Sequence, residues 1–380
     1  MGAVRLAACV LLAALALAPA ARADPPPIKH VFVIVLENKN FDDTFGPASE
    51  APYLAKTLTG KGQLLRQYYG TGHESLDNYI AMVSGQAPNP QTQGDCIFGF
   101  NEFVPGTMGA DGQALGMGCV YPPAVKTIAD QLEGAGKTWK GYMEDMGTPC
   151  RHPAIGTMDD TQSARSDDQY ATRHDPFVYF HSIIDDQTRC DAHVVPLEAL
   201  PGDLASAATT PNFSFVTPDL CSDGHDAKCA DGGPGGYAGI DAFLSTWVPR
   251  ILASPAYADG GMVIVTFDES EDGAEACCHE LTGPNTPMPG IQGPGGGRTG
   301  TVVISPWVEP GSTNDSPYNH YSLLRSLEDL FGLAHLGYAG QAGLRPFGSD
   351  VYNASPPAKQ WRRHHRRKHR RHRHRHHRRR

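Results

Sequence analysis

Two uninterrupted apolar runs constrain this chain more than any other feature: "VFVIV" at 31–35 and "MVIVTF" at 262–267. A strand with one face in water alternates apolar and polar residues. A strand apolar at every position is buried on both faces, as in a parallel sheet between two layers of helices. Further strands are predicted at 63–68, 138–143, 176–180, 213–217 and 301–305. They alternate with helices predicted at 76–84, 124–135, 197–208, 236–253 and 320–331. The pattern predicts an α/β fold, a mostly parallel central sheet with helices on both faces. The Gly/Pro-rich stretches 86–123 and 270–300 read as loops near a site or small inserts.

The two ends read differently from the middle. Residues 1–23 combine Arg5, the apolar "LAACVLLAALALA" and "ARA" before Asp24, which predicts a cleaved signal peptide and a secreted protein, periplasmic or extracellular. Eight cysteines lie beyond it, an even number that in an oxidising compartment predicts up to four disulfides. Cys221 and Cys229 are close enough to staple one loop, and the adjacent Cys277 and Cys278 are expected to reach two different partners. Residues 359–380 hold 13 Lys and Arg, seven His and no acid. With those 13 and with Arg5 and Arg22 set aside from the chain's −9, the predicted catalytic domain, 24–358, carries −24. An acidic body with a basic tail is not the profile of a nucleic-acid-binding domain. The tail is expected to be disordered by composition. It is either solvated without a fixed partner or adheres to an anionic surface such as phospholipid or a polyanionic glycan, more strongly as its histidines protonate.

In open α/β sheets ligands bind beyond the carboxyl ends of the strands. The first long strand ends in Glu37 and Asn38, and "VIVTFDES" ends in Asp268 and Glu269. Each acid alone suits a solvated strand end or a helix cap. Together they repel one another unless a cation holds them, and oxygen donors suit a hard divalent ion. In "TGHESLDNYIAMVSG", residues 71–85, Ser75 stands at a predicted helix N-terminus. Free amides and the helix dipole favour an anion there, although an ordinary N-cap looks the same. Beside a metal such a serine can become a nucleophile. His73 and Asn78 flank it with donors for a phosphate. In "FVTPDLCSDGHDAKC", residues 215–229, Asp219, Asp223, His225 and Asp226 crowd together. Asp223 and His225 are the preferred metal ligands, and a disulfide-closed polar loop is the alternative. His320 opens an amphipathic helix as a cap, or as a substrate or metal contact.

These segments resemble a known family. "HVFVIVLENKNFDDTFG", "ESLDNYIAMVSG", "GGGRTGTVVISPWVEPG" and "NHYSLLRSLEDLFGL" are similar, in order over about residues 28–335, to the bacterial phosphoesterase family of phospholipases C and secreted acid phosphatases, within the alkaline phosphatase superfamily. The likeness is greatest to the acid phosphatase branch. The resemblance implies an alkaline-phosphatase-like fold and a metal held by Glu37, Asn38, Asp268 and Glu269, with Ser75 as nucleophile and ligand. It implies that Asn78 donates to the phosphate, and that Asp223 and His225 serve a second metal or the leaving group. Many members carry Pro where this chain has Asp77. The expected activity is a secreted, metal-dependent phosphomonoesterase working through a phosphoserine, with His225 or His320 as acid or base. Its cofactor is one or two divalent ions, Mg, Ca or Zn, and its substrate a phosphate monoester or a phospholipid headgroup. The alternatives are a phospholipase C-type phosphodiesterase and a non-catalytic surface-binding protein.

Overall fold

The computed structural model describes residues 25–355. The predicted signal peptide and basic tail lie outside the described residues. Twelve strands are present among them: β1 His30–Leu36, β2 Gln63–Leu65, β3 Tyr68–Tyr69, β4 Val104–Met108, β5 Ala114–Met117, β6 Trp139–Met143, β7 Val194–Pro196, β8 Phe213–Thr217, β9 Gly261–Phe267, β10 Thr301–Ile304, β11 Ser312–Asn314 and β12 Tyr318–Asn319. Eight of them form one sheet in the order β11-β2-β10-β9-β1-β8-β6-β7. Only β10 runs against its neighbours. The α/β class and the mostly parallel sheet are therefore as the apolar runs predict.

β1 shows why those runs need two covering layers. Val31, Val33 and Val35 pack into one core and Phe32, Ile34 and Leu36 into the other. The helices Ser75–Ser84 and His320–Phe331 cover the first face with Leu76, Tyr79, Ile80, Leu323, Leu324 and Leu327. The helix Gly236–Leu252 covers the second with Ile240, Phe243, Leu244, Val248 and Ile251. At about 25 cal/mol per Å² of apolar surface removed from water, this double burial is what holds β1 and β9 in the centre.

Register places the chemistry. Leu36 pairs with Phe267, so Glu37 and Asp268 leave adjacent strands at the same sheet edge. The helix Ser75–Ser84 is buried along its whole length. It starts where the Leu76 amide donates to Asp95 Oδ1 at 2.9 Å and stops at Gly85, whose φ of +67° an L side chain resists. The helix His320–Phe331 is capped by Asn319, whose side chain accepts from the Ser322 amide at 2.8 Å.

Several local expectations are corrected. Residues 176–180 do not form a strand: Pro176–Tyr179 is a 3₁₀ turn. Pro176 has no N–H for a ladder and its fixed φ suits a first helical position, while Asp175 accepts the Phe177 amide. The helix expected at 124–135 covers Ile128–Gly134, because Thr127 and Asp130 form a capping box. The helix expected at 197–208 shortens to a 3₁₀ turn and Leu200–Asp203. The strand expected at 63–68 ends at Leu65, and Tyr68–Tyr69 pairs with β12 instead. The stretch 86–123 contains the hairpin β4–β5, linked at its base by Cys96–Cys119. The other disulfides are Cys150–Cys190, Cys221–Cys229 and Cys277–Cys278. Cys221–Cys229 staples its loop as expected. Cys277 and Cys278 bond to each other, not to two different partners. Among the described residues no helix is long and apolar enough to cross a membrane.

Candidate active site

Glu37 is fully buried at the end of β1. Its Oε2 accepts the Ser75 hydroxyl at 2.8 Å and its Oε1 accepts the Tyr79 hydroxyl at 2.5 Å. Asn38 has a φ of +52°, a left-handed turn that asparagine tolerates. The turn aims its backbone N–H at Asp268 Oδ1, 3.0 Å away, and leaves its side-chain amide 3.4 Å from Glu37 Oε2. Ser75 is the first residue of its helix and is itself buried. Two central strands and one buried helix thus bring Glu37, Asn38, Ser75 and Asp268 to one place.

The opposite wall comes from loops. Asp223 Oδ2 accepts from His174 Nδ1 at 3.1 Å, which leaves the lone pair of His174 on Nε2. That Nε2 lies 3.4 Å from Glu37 Oε2 and has no hydrogen-bond partner although it is buried. Ligand atoms of Glu37, His174 and Asp223 all lie within 4.8 Å of one another. The ring of His174 stacks on Tyr79 with centroids 5.3 Å apart. Asp223 Oδ1 also accepts the His225 amide at 2.8 Å, and the Asp223 carbonyl accepts the Glu37 amide at 3.0 Å. Asp219 is used inside its own loop, accepting the amides of Cys221 and Ser222.

Charge is unbalanced here. Burial, reinforced by Asp268 and Asp223, pushes the Glu37 carboxyl well above its usual range. Burial likewise raises Asp223, Asp268 and Glu269. Burial, with Arg173 and His225 nearby, pushes His174 well below the usual imidazole value, which favours the neutral ring. Asp268 Oδ2 is buried with no partner. Orphaned carboxylate and imidazole atoms within a cluster of four acids are what a divalent cation would satisfy, so the residues present fit such a group. A second group, Cys221, Cys229 and Asp231, does not fit one, because its cysteines share a disulfide.

The remaining predicted residues are distributed unevenly. Glu269 Oε2 pairs with His73 Nδ1 and lies 3.4 Å from Asn78 Nδ2. His73 Nε2 donates to the Gly273 carbonyl at 2.7 Å, so both of its ring nitrogens are taken. Asn78 is fully buried, and its Oδ1 accepts the amides of Thr71 and Gly72 at 2.7 and 3.0 Å. Its Nδ2 donates to the Gly72 carbonyl at 2.9 Å. Both residues therefore shape the turn before Ser75, which corrects the expectation that they offer free donors. His225 stands at the edge, its Nδ1–H on Asp226 Oδ1 at 2.8 Å and its Nε2 accepting from Arg173 Nη2 at 3.2 Å. His320 lies behind Asp268: Nε2 donates to the Asp268 carbonyl at 2.5 Å and Nδ1 accepts from the Tyr68 hydroxyl at 3.1 Å. Burial lowers its pKa to about 4. The expectation that His320 reaches substrate is corrected accordingly: it holds the Asp268 backbone.

Sequence reasoning missed Arg173, His174 and Tyr79. The signal was "TRHDPF", a His between Arg and Asp-Pro, which the reading of 176–180 as a strand concealed. Arg173 is 3% exposed and also faces Asp95 Oδ2 at 3.4 Å.

Comparison with known proteins adds an independent line. The profile described as the Phosphoesterase family matches residues 49–334. Phosphatidylinositol-3-phosphatase of Mycobacterium tuberculosis is 27% identical over 83% of this chain and 81% of its own. Phosphate-repressible acid phosphatase of Penicillium chrysogenum is 28% identical over 80% of this chain and 59% of its own, so this chain spans less than two thirds of that relative. Among solved structures, a protein in the alkaline phosphatase superfamily from Vibrio parahaemolyticus is 13% identical, covering 87% of this chain and 77% of that one, with a TM-score of 0.49.

Proposed function

We propose, from the premise that this chain belongs to the Phosphoesterase family and is a phosphoric ester hydrolase, that it is a secreted, metal-dependent phosphomonoesterase with Ser75 as nucleophile. The observation that carries the reading is the 2.8 Å hydrogen bond from the Ser75 hydroxyl to Glu37, inside the cluster of orphaned ligand atoms. Glu37, Asn38, Asp268, His174 and Asp223 would hold a divalent ion, Mg, Ca or Zn, with Ser75 beside them. When bound, the ion supplies positive charge that acidifies the hydroxyl and stabilises the charge of the transition state.

The chain's own groups do the rest. Ser75 Oγ attacks phosphorus as its proton passes to Glu37, and the bond to the ester oxygen breaks. The positive end of the Ser75 helix, where Asp95 already holds the Leu76 amide, and the charge of the buried Arg173 guanidinium would favour the phosphoryl oxygens. His225, oriented by Asp226, would give a proton to the departing oxygen once its Nε2 is protonated and released from Arg173, and would then take one from the water that cleaves the phosphoserine, while Glu37 returns its proton to Ser75 Oγ. A phosphate monoester, free or on a phospholipid headgroup, is the substrate class, and four disulfides support an oxidising compartment. Ser75→Ala is expected to abolish hydrolysis of a simple aryl phosphate while the melting temperature holds. Full activity in that variant would sink the mechanism.

A further inference from the structure

Exposed apolar side chains are not scattered over this protein. Among the described residues, every exposed large apolar side chain lies in one of three stretches, 97–117, 155–158 and 281–291. Phe98 is 83% exposed. Val104 and Met117 are paired across β4 and β5, so they share one face of the hairpin. Met158, Met288 and Ile291 come from the other two stretches.

Hydrogen bonds tie the stretches together. The Phe100 amide donates to the Thr157 carbonyl and the Gly156 amide to the Phe100 carbonyl, each at 2.8 Å. Asn285 accepts from the Gly116 amide at 2.9 Å and donates to the Ala114 carbonyl at 2.8 Å. Gln93 donates to the carbonyls of Met288 and Pro289. The same rim reaches the site, because the His73 amide, two residues before Ser75, donates to the Pro289 carbonyl at 3.1 Å.

Charge sets this rim apart. The predicted domain carries −24, yet residues 97–117 hold only Glu102 and Asp111, and residues 281–297 hold no charged residue. Isolated surface apolar residues need no explanation, but a set confined to one linked region marks an interaction surface.

We propose that this rim seats the protein on an anionic phospholipid bilayer, with the phosphoryl site beside it facing the headgroups. The inference rests on the phosphomonoesterase reading only for what the site does once seated. The strongly acidic body repels an anionic surface, and the rim is the part able to approach it. The same body repels a second copy of itself, which disfavours a homodimer through this face. Durable attachment to a membrane takes two signals, inserted apolar groups and a basic segment. The chain has both, since it continues into 13 Lys and Arg after residue 358. Each basic residue near an anionic leaflet adds attraction that salt screens.

The test is co-sedimentation of the full chain with vesicles of phosphatidylcholine, with and without phosphatidylserine. Wild type is expected to bind the mixed vesicles and to bind pure phosphatidylcholine more weakly. Phe98→Ser combined with Met117→Ser is expected to weaken binding at least about tenfold, with the melting temperature and the kcat/KM on soluble aryl phosphate unchanged. Unaltered vesicle binding by the double variant overturns the proposal. So does a change in its oligomeric state in place of its vesicle binding. Binding without any aryl phosphate hydrolysis by wild type supports the seat and removes the phosphomonoesterase reading, so the two can fail separately.

Discussion

The two walls of the site are built by different means. Glu37 and Asp268 leave the ends of central strands whose every residue is buried, and Ser75 opens a helix packed on them. Arg173 and His174 instead leave a 3₁₀ turn, Thr172–His174, and Asp223 and His225 a loop held by a short disulfide and an Asx-type turn at Asp219, the two joined by hydrogen bonds. The strand wall is placed by the sheet ladder, so its geometry follows from the core. The loop wall is placed by local cross-links, so its geometry can be loosened without touching the core.

The contrast is sharpest at two histidines. His174 presents a free, neutral Nε2 to Glu37 from the loop wall, whereas His320 braces the Asp268 carbonyl from behind the strand wall. His174→Ala is expected to lower the kcat/KM for an aryl phosphate by more than about 100-fold and to weaken metal retention. His320→Asn is expected to fall in the range of an outer partner, about 10- to 100-fold. Comparison of the two by steady-state kinetics and metal content checks the assignment. A larger loss at His320 than at His174 would reverse the roles given to the two walls.

How far the sequence revealed each wall follows from the same division. The apolar runs "VFVIV" and "MVIVTF" declare buried parallel strands, and whatever follows such a strand sits at the ligand edge. The common position of Glu37, Asn38 and Asp268 at one sheet edge was legible for that reason, and that of Ser75 because it opens a patterned helix, whereas Glu269 turns to His73 and Asn78. His174 was not, because its position depends on a turn made by Asp175 and Pro176 and on a partner 49 residues away. His320 was visible as a helix start, but no periodicity says which way an N-terminal histidine points. The bond between Cys277 and Cys278 was hidden too, since an even cysteine count leaves pairing open.

A second way to break the comparison is to cut the staple of the loop wall. The Cys221–Cys229 link closes eight residues, and the chain-entropy model assigns such a loop roughly 2–3 kcal/mol. Replacing both cysteines by serine is expected to destabilise the loop around Asp223 and His225 and to cut activity about tenfold. The protection of β1 and β9 amides against hydrogen exchange is expected to persist. Loss of protection in β1 together with the loop would show that the walls are one cooperative unit.

The smallest effect concerns the joint between the walls. Glu144 follows β6, and its Oε2 accepts the Asp219 amide at 3.1 Å, so it connects a strand end to the loop that carries Asp223. Burial, with Asp219 nearby, raises its pKa to about 7. An unfolded glutamate loses its proton near pH 4.5, so between about pH 4.5 and 7 the folded state holds more protons than the unfolded one. Stability from this group must then fall as pH rises through that window, by at most about 3 kcal/mol for 2.5 units at 1.36 each. Above pH 7 both states are ionised and the slope from this group ends. Glu144→Gln should flatten the fall while keeping an acceptor for the Asp219 amide. Melting temperatures of the chelated protein from pH 4.5 to 8 check this, and an unchanged slope in the variant would assign the effect to the buried carboxylates of the strand wall instead.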